Sequence, residues 1–433
     1  MLTITPFPDS LANWLDYISH QHSAEIVMGL ERVRDVWEAL GKPQAPINIT
    51  VGGTNGKGST CAMLESILSI AGFKTGFYSS PHLVQFNERV RLGTQSARDA
   101  EFVAAFAAVE AARRSLLPAV PLTYFEYVTL AALWMFARAD LDVAILEVGM
   151  GGRLDAVNMV DADVSIVVSI DLDHQSYLGD TIEKIGWEKA HIYRPHRPAI
   201  FADLNPPASL LAHAAAIGAD LRLLNRDFRY LRMDGQWQFF GRDAARHSLP
   251  FPALRGGYQL KNASAALAAL EALHDKLPVS QGQLKRGLLE VEWPGRMQVL
   301  PGRPCVVLDV AHNPHAARAL HDALGTMGFF ENTYAVFGML NDKDIDQVIG
   351  IIKSRIDFWC IAGLEKSAGA RGATSAQLAQ KLVAHGAEGR FSQHIDIAGA
   401  FAAARARAGQ NDRILVFGSF YTVADVMSTI KTG

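Results

Sequence analysis

A glycine-rich loop between an apolar strand and a helix dictates much of how this chain can fold. Residues 47–51 read INITV, GGTNGKGST follows at 52–60, and the helical stretch CAMLESILSIAG comes next. The glycines permit a tight turn that aims backbone N–H groups at an anion, the helix adds the positive end of its dipole, and Lys57 adds a point charge. Strand, loop, lysine and helix in this order predict a phosphate-binding loop in a parallel α/β domain.

This loop is not a strict Walker motif. Val51 stands where that motif has its first glycine, and Gly58 separates Lys57 from Ser59. A turn that holds a lysine by chance is the alternative, but the agreement of strand, loop and helix favours the phosphate-binding interpretation.

Short β-branched runs alternate with helical segments through the first part of the chain. The pattern predicts strands at 47–51, 73–79, 141–148, 163–170 and 198–203, and helices at 58–71, 98–115, 125–139, 180–193 and 260–274. Strands that are apolar throughout are typical of a parallel sheet covered on both faces, so the alternation predicts a doubly wound α/β domain. Region 221–240 differs, because its sequence predicts a hairpin with a turn at Asp234-Gly235 that forms an antiparallel edge.

A stretch rich in glycine and proline, 293–304, separates this part from a second alternation. There the pattern predicts strands at 305–310, 333–338, 356–362 and 413–418, and helices at 314–327, 343–353, 374–386, 396–408 and 420–431. A chain of 433 residues is too long for one ordinary core. The sequence therefore predicts a domain over 1–297 and a smaller α/β domain over 298–433.

The composition argues against several classes of protein. A formal net charge of -3 gives no basic excess of the kind that nucleic-acid binding requires. Cys61, Cys305 and Cys360 are too far apart to predict a disulfide framework or a CxxC zinc site. The N-terminus has no secretory signal pattern, and the apolar runs are too short to span a bilayer. We therefore expect a cytoplasmic protein with no nucleic-acid or membrane partner, and the absence of heptads favours a monomer.

Glu147 stands near the end of the apolar strand LDVAILEV, before the glycine-rich stretch GMGGR. A carboxylate in such a strand is costly to bury unless it is paired or bound to a metal. Ligands of open α/β sheets bind at the carboxyl ends of strands, where the phosphate loop also lies. We therefore expect Glu147 to reach the magnesium ion of a bound ATP; an ion pair with Arg153 is the alternative.

His174 follows the next strand along the chain, DVSIVVSI. A lone histidine is usually an ordinary hydrogen-bonded side chain, and hard cations prefer oxygen ligands. Its place beside the phosphate loop and Glu147 nevertheless favours a metal-binding role. The residues alone give no such role to Lys189, which reads as a solvated lysine, or to Ser80, which reads as part of a turn that ends a strand.

A second cluster of polar residues follows the strand CVVLDV in the C-terminal part. Asp309, His312 and Asn313 stand just before a predicted helix, so a helix cap is the alternative for Asp309 and Asn313. Three such groups together favour a functional site. Arg296 in the preceding linker is either an ATP contact or an interdomain ion pair, and Asn262, before an alanine-rich helix, is either a ligand contact or a cap.

Taken together, these motifs resemble those of one family. GGTNGKGST, SSPHL with FNERVRL, TYFEY, EVGMGGRLDAVN, DHQSYLGDTIEKIGWEKA, PGRMQ, DVAHNPHA, GMLNDKD and GSFYTV occur in family order, and the likeness extends from about residue 10 to residue 428. The chain resembles the folylpolyglutamate synthase family, in particular its bacterial bifunctional dihydrofolate synthase/folylpolyglutamate synthase members.

The resemblance implies a Mur ligase-like fold and a set of binding residues. An N-terminal P-loop mononucleotide-binding domain with a mainly parallel sheet would carry the dihydropteroate/folate site, and a smaller C-terminal Rossmann-like α/β domain would contribute to ATP and glutamate binding. The implied ATP contacts are Gly56, Lys57, Gly58, Ser59, Asn262, Arg296 and Asp309. The implied magnesium ligands are Ser80, Glu147 and His174, joined by Lys189 if it is carbamylated. The implied dihydropteroate-binding residues are Thr123, Tyr124, Phe125, Glu126, Leu154, Asp155 and Ala156.

The implied reaction uses ATP and Mg²⁺ to add L-glutamate to dihydropteroate, giving dihydrofolate, and further glutamates to reduced folates. A substrate carboxylate attacks the γ-phosphate of ATP, and the glutamate amine then attacks the resulting acyl phosphate. Lys57 would neutralise charge on the transferred group, while His312 and Asp309 are candidates to orient or deprotonate the amine. The alternatives are a cell-wall amino-acid ligase, which shares this fold and chemistry, a P-loop phosphotransferase or nucleotide switch, and a non-catalytic nucleotide-binding scaffold.

Overall fold

The structure is a computed structural model that describes residues 7–24, 26–45 and 47–432. The chain folds into two compact units. Unit 1 comprises the described residues of Met1–His82 together with Asn87–Phe251 and Leu260–Val291, and unit 2 comprises Leu83–Phe86, Pro252–Gln259 and the described residues of Glu292–Gly433. The predicted boundary at residue 297 therefore falls inside unit 2.

Unit 1 contains an eight-stranded sheet, a small three-stranded sheet and the helices between their strands. Its helices are α1 (Leu11–Ser19), α2 (Glu31–Ala39), α3 (Lys57–Ile70), α4 (Asp99–Ser115), α5 (Tyr124–Arg138), α6 (Gln175–Leu178), α7 (Ile182–Ala190), α8 (Ala208–Ala216), α9 (Gln259–Ala272) and α10 (Gln281–Glu290). Its strands are β1 (Asn48–Gly52), β2 (Thr75–Tyr78), β3 (Val90–Leu92), β4 (Gln95–Ser96), β5 (Val143–Glu147), β6 (Val164–Val167), β7 (Pro198–Phe201), β8 (Asp220–Leu223), β9 (Arg229–Arg232), β10 (Trp237–Phe240) and β11 (Ala245–Leu249).

The large sheet has the strand order β4-β3-β2-β5-β1-β6-β7-β8. Strands β2 to β8 in this order run parallel, and β3 and β4 are antiparallel additions at one edge. All residues of β1 and β5 are buried, as the apolar runs predicted, because helices cover a parallel sheet on both faces. Strand β1 lies between β5 and β6, with Val51 beside Glu147 and Gly52 beside Val167. The carboxyl ends of these three strands therefore meet at one edge.

The hairpin predicted in region 221–240 is confirmed, but its predicted place at the edge of the sheet is wrong. Strands β9 and β10 pair antiparallel and join β11 in a separate sheet. The edge of the large sheet is instead β8, which runs parallel to β7 because α8 connects the two strands in a crossover. Trp237 and Phe239 of the hairpin are buried, so one face of this small sheet is apolar and covered.

Unit 2 is a doubly wound α/β unit around a six-stranded sheet of order β12-β13-β17-β14-β15-β16. Its strands are β12 (Gln298–Leu300), β13 (Cys305–Leu308), β14 (Thr333–Phe337), β15 (Phe358–Ala362), β16 (Phe391–His394) and β17 (Arg413–Phe417), and its helices are α11 (Pro314–Gly325), α12 (Ile345–Ile352), α13 (Glu365–Ala368), α14 (Ser375–Ala384), α15 (Ile397–Arg407) and α16 (Phe420–Thr432). Only β12 is antiparallel. Residues of α11, α12 and α14 pack in one apolar cluster, and residues of α15 and α16 pack in another.

The predicted strands and helices of both units are confirmed to within a few residues at their ends. Helices α1, α2, α6, α8, α10 and α13 and strands β3, β4, β11, β12 and β16 were not predicted. None of the helices in the described part of the chain combines the length and the apolar character that crossing a bilayer requires.

Candidate functional site

The loop that follows β1 is held in place by the loop that follows β6. The Thr54 amide donates to the Ser169 carbonyl oxygen at 2.8 Å, the Asn55 amide donates to Ser169 Oγ at 3.0 Å, and Thr54 Oγ1 donates to the Asp171 carbonyl oxygen at 3.1 Å. Helix α3 then begins at Lys57, with Gly58 and Ser59 buried in its first turn. The N-cap, Gly56, has no side chain that could cap this helix, so the first amides of α3 can serve an anion.

Gly56, the N-cap of α3, occupies a position that only glycine fits. Its φ is +87°, and a Cβ there would lie 2.6 Å from Asn262 Oδ1 and 2.8 Å from Val168 Cγ1. Asn262 is buried and lies inside α9, which begins at Gln259. The alternative that Asn262 caps this helix is therefore wrong, and its side chain faces the phosphate loop instead.

Two lysines converge on the same loop. Lys57 Nζ donates to the carbonyl oxygens of Gly53 at 3.1 Å and Thr54 at 3.3 Å, and Lys189 Nζ donates to the Gly53 oxygen at 3.1 Å. Lys189 is buried in α7, so its interpretation as a solvated lysine is wrong. Burial, assisted by the nearby charge of Lys57, lowers the pKa of Lys189 to about 7.

The predicted metal-binding residues lie at the same edge of the sheet. Glu147 ends β5 and is buried, and Ser80 follows the neighbouring strand β2. Burial and then the charge of Glu147 raise the pKa of the Cys61 thiol in α3, which puts this carboxylate close to the phosphate-loop helix. His174 is the N-cap of α6, has a φ of +50°, and places Nε2 3.9 Å from Asp173 Oδ1.

Arg153 is paired with Glu188 of α7. Its Nη2 and Nε lie 3.0 Å and 3.2 Å from Glu188 Oε1, and its guanidinium stands 4.8 Å from the ring centroid of Trp187. The alternative in which Arg153 neutralises Glu147 is therefore wrong, and Arg153 instead fastens the glycine-rich stretch after β5 to α7.

The segments predicted to bind dihydropteroate lie side by side in unit 1. Thr123 is the N-cap of α5, and Phe125 packs so closely on Gly149 that a Cβ there would be 2.6 Å from the Phe125 ring. Tyr124 has the Arg89 guanidinium 5.7 Å from its ring centroid. Leu154 and Ala156 are the sequence neighbours of Asp155. The contact between Phe125 and Gly149 brings the start of α5 against the stretch after β5 that contains these three residues.

Asp155 is a buried carboxyl group that holds the glycine-rich stretch in shape. Its oxygens accept hydrogen bonds from the amides of Met150 at 2.8 Å and Val157 at 3.0 Å. Burial nevertheless raises the pKa of Asp155 to about 6.

In unit 2, Asp309 connects two backbone segments at the carboxyl end of β13. Its oxygens accept hydrogen bonds from the amides of Met297 and Ala311, each at 2.8 Å, and it is buried. Burial raises the pKa of Asp309, although the nearby Arg296 opposes this. Asp309 does not cap α11; Asn313 does, accepting from the Ala316 amide at 2.9 Å, so the capping interpretation is confirmed for Asn313 alone.

Phe420 lies between the other two predicted residues of unit 2. The Arg296 guanidinium stands 5.2 Å from its ring centroid, and the His312 ring centroid lies 6.0 Å away. His312 Nδ1 lies 2.8 Å from the Val310 carbonyl oxygen. Because a carbonyl can only accept, Nδ1 carries the proton and the lone pair of the neutral ring is on Nε2. The sequence indicated Phe420 only through the motif GSFYTV.

The residues present fit a nucleotide phosphate chain and a divalent cation. The phosphate loop offers the uncapped start of α3 and the ammonium group of Lys57. The described residues contain no group of three or more His, Cys, Asp or Glu side chains placed to hold a metal ion by themselves. Glu147 and His174 are only two such residues, so oxygen atoms from Ser80, phosphate and water would have to complete the shell that Mg²⁺ prefers.

Comparison with known proteins identifies the family. The family model of the Mur ligase middle domain matches residues 51–270, and that of the Mur ligase glutamate ligase domain matches residues 295–420. The dihydrofolate synthase/folylpolyglutamate synthase of Escherichia coli (strain K12) is 46% identical over 422 residues, which are 97% of this chain and 95% of that relative. This chain belongs to the dihydrofolate synthase/folylpolyglutamate synthase family. It is a ligase with the Mur ligase fold, and the predicted fold class is confirmed.

Solved structures of this family superpose on the chain over nearly its whole length. Escherichia coli FolC in complex with DHPP and ADP has a TM-score of 0.92 at 45% identity, and 99% of each chain is covered. A bifunctional folylpolyglutamate synthase/dihydrofolate synthase with Mn, AMPPNP and L-glutamate bound has a TM-score of 0.90 at 42% identity, and covers 99% of this chain and 100% of its own.

Proposed function

We propose that this family member uses ATP and Mg²⁺ to join L-glutamate to dihydropteroate, giving dihydrofolate, and then adds further glutamates to reduced folates. One observation carries the proposal. The phosphate loop with Lys57 and the carboxylate of Glu147 leave adjacent strands at the same level, since Val51 and Glu147 are register partners. The ligands in the names of the related structures agree with this assignment.

The proposed binding roles are those that the family resemblance implies for these residues. Gly56, Gly58 and Ser59 offer the start of α3 to the phosphates of ATP, and Lys57 neutralises their charge. Asn262, Arg296 and Asp309 are the further proposed ATP contacts. Ser80, Glu147 and His174 hold magnesium, which as a Lewis acid would stabilise charge on the phosphate oxygens, and Lys189 supports this site if it is carbamylated. The proposed residues that bind the acceptor, dihydropteroate or a reduced folate, are Thr123, Tyr124, Phe125, Glu126, Leu154, Asp155 and Ala156.

The proposed chemistry has two steps. The acceptor carboxylate attacks the γ-phosphorus of ATP, which releases ADP and leaves an acyl phosphate. The neutral amine of glutamate then attacks the acyl carbon, forms the amide and expels phosphate. His312 is suited to take the proton of the amine because its Nε2 carries the lone pair, whereas Asp309 holds two backbone amides and orients the loop around His312.

The test supplies dihydropteroate, L-glutamate and Mg-ATP to the purified protein and follows phosphate release and product mass. We expect phosphate release to require all three substrates, and the product to gain one glutamyl group. Lys57→Met should abolish the reaction, whereas Lys74→Met, at an exposed lysine, should leave it unchanged. The proposal fails if neither dihydropteroate nor a reduced folate supports glutamate-dependent phosphate release.

The same assay separates the alternatives. A cell-wall amino-acid ligase would need a nucleotide-linked muropeptide as acceptor, and a phosphotransferase or nucleotide switch would release phosphate without any amino acid. We further propose that the enzyme is a cytoplasmic monomer. The three free thiols agree with a reducing compartment.

A further inference from the structure

Arg32, in the first turn of α2, joins two segments that are far apart in the sequence. Its Nη2 donates to Glu126 Oε1 at 2.7 Å and to the Val27 carbonyl oxygen at 3.0 Å, and its Nε lies 3.4 Å from Glu126 Oε2. The side chain of Glu126 is 4% exposed and that of Arg32 is 22% exposed. An ion pair this well shielded holds its two segments in one arrangement, because either charge alone would lack compensation.

Glu126 also fixes the first turn of α5 through a capping box with Thr123. Its Oε2 accepts from the Thr123 amide at 2.8 Å, and its own amide donates to Thr123 Oγ1 at 3.3 Å, which completes a capping box. Phe125 lies between these two residues and packs on Gly149. The carboxylate that Arg32 holds therefore sets the direction in which the first turn of α5 presents its side chains.

The hydrogen bond from Arg32 Nη2 to the Val27 carbonyl oxygen fixes the loop before α2. Val27 precedes Met28, whose Cε would lie 3.8 Å from a Cβ at Gly151. This loop thus reaches the glycine-rich stretch after β5 at Gly151, while Phe125 reaches the same stretch at Gly149. The guanidinium group of Arg32 holds two segments directly, because its planar fork can bind the carboxylate and the carbonyl together, and each of these segments contacts the glycine-rich stretch.

We infer that Arg32 is a positioning residue for acceptor binding, which acts through Glu126 and the Val27 carbonyl to hold the start of α5 against the glycine-rich stretch. This inference rests on the proposed function, because the start of α5 is where we place the dihydropteroate or folate. It assigns Arg32 no contact with ATP, so its loss should affect the acceptor and spare the nucleotide.

Steady-state kinetics of Arg32→Gln and Arg32→Lys test this role, with Arg34→Gln as the matched control on the exposed face of the same helix. We expect the acceptor KM of Arg32→Gln to rise about tenfold or more while its ATP KM stays within about twofold of wild type. Arg32→Lys should lie between the two, since lysine keeps the charge but cannot form the fork. Arg34→Gln should match wild type in both constants.

A double-mutant cycle identifies Glu126 as the route of the effect. The acceptor KM of the double variant Arg32→Gln/Glu126→Gln should be no higher than that of the worse single variant. The reason is that each substitution alone already breaks the same ion pair. Full additivity would overturn the inference, as would an unchanged acceptor KM or an equal rise in the ATP KM. If Arg32→Gln does not fold, Arg32→Lys decides by the same criteria. Failure of the proposed function is distinguishable, because wild type itself would then be inactive.

Discussion

Lys57 and Lys189 donate to the same acceptor, the carbonyl oxygen of Gly53, and each Nζ lies 3.1 Å from it. Burial disfavours the charged form of Lys189, and repulsion between two ammonium groups that share one acceptor adds to this cost. The pKa of Lys189 is lowered to about 7, so much of it is a neutral amine at neutral pH. A neutral amine is the form that reacts with carbon dioxide, which makes carbamylation of Lys189 chemically reasonable.

Removal of carbon dioxide should therefore lower activity. We expect wild type to lose glutamate-dependent phosphate release in bicarbonate-free buffer and to regain it when bicarbonate is restored. Lys189→Met should lose activity by about 100-fold and should not respond to bicarbonate. Lys184→Met, at an exposed lysine of the same helix, should behave as wild type. Equal wild-type activity with and without bicarbonate would contradict a functional carbamate.

Gly56→Ala should weaken ATP binding. The new Cβ would meet Asn262 Oδ1 at 2.6 Å in a left-handed backbone conformation, so the loop would have to shift away from the phosphates. We expect the ATP KM to rise by about tenfold or more. Gly72→Ala is the matched control, because Gly72 also has a positive φ but a Cβ there meets nothing within 4 Å. A rise of the same size in Gly72→Ala would assign the effect to stability.

Chelation of divalent cations should abolish activity, and Glu147→Gln should raise the magnesium concentration needed for half-maximal rate by about 10-fold or more. The reason is that a neutral amide binds a hard cation less strongly than a carboxylate does. Magnesium titration of the rate checks this. The control is Glu65→Gln, which changes a different buried carboxylate, in α3 and paired with Arg91, and should leave the magnesium requirement as it is. A shift in Glu65→Gln alone would contradict the assignment.

Glu110 should make stability depend on pH. This buried residue of α4 accepts hydrogen bonds from Arg113 and Tyr17, each at 2.7 Å, and from Tyr127. Burial by itself would raise the pKa of Glu110, but these hydrogen bonds outweigh it and lower the pKa to about 2. A carboxyl group whose pKa is lower in the folded state stabilises the fold above its unfolded pKa, and this contribution is lost as the pH falls towards the folded pKa.

Glu110→Gln should accordingly reduce the free energy of unfolding by about 3 kcal/mol at pH 7. The difference from wild type should shrink as the pH is lowered from about 4.5 towards 2, because wild type becomes neutral there as well. Urea titrations at several pH values measure this. Glu38→Gln, at an exposed residue, should change stability by no more than about 0.5 kcal/mol at any pH. A difference that does not vary with pH would contradict the charge-based explanation.

The sequence was sufficient to predict that Lys57, Glu147 and His174 stand at or after the ends of β1, β5 and β6, three strands that pair in parallel. It was insufficient for Arg32, whose partner Glu126 is 94 positions away. No local pattern marks a pair of that kind, because only the packing of α2 against α5 brings the two charges together.

Two errors have the same origin. An alanine-rich run indicates a helix but not its first residue, so Asn262 was offered as a cap although α9 already begins at Gln259. Alternating residues indicate a hairpin but not the sheet that it joins, so β9 and β10 were placed at an edge that β8 occupies. Periodicity is a local property, whereas helix starts and sheet membership depend on contacts between distant segments.

The placement of β1 between β5 and β6 has a practical consequence for experiments on unit 1. The loops after β1, β2, β5 and β6 leave the carboxyl edge, whereas the residues before β2 and β5 include exposed pairs such as Lys74 with Asp140. Val143 and Glu147 are the first and last residues of β5, roughly 13 Å apart at the rise of an extended strand, and Asp140 lies in the turn before Val143. A fluorophore or surface tether attached at position 140 would therefore not contact the proposed binding residues at the carboxyl edge of the sheet.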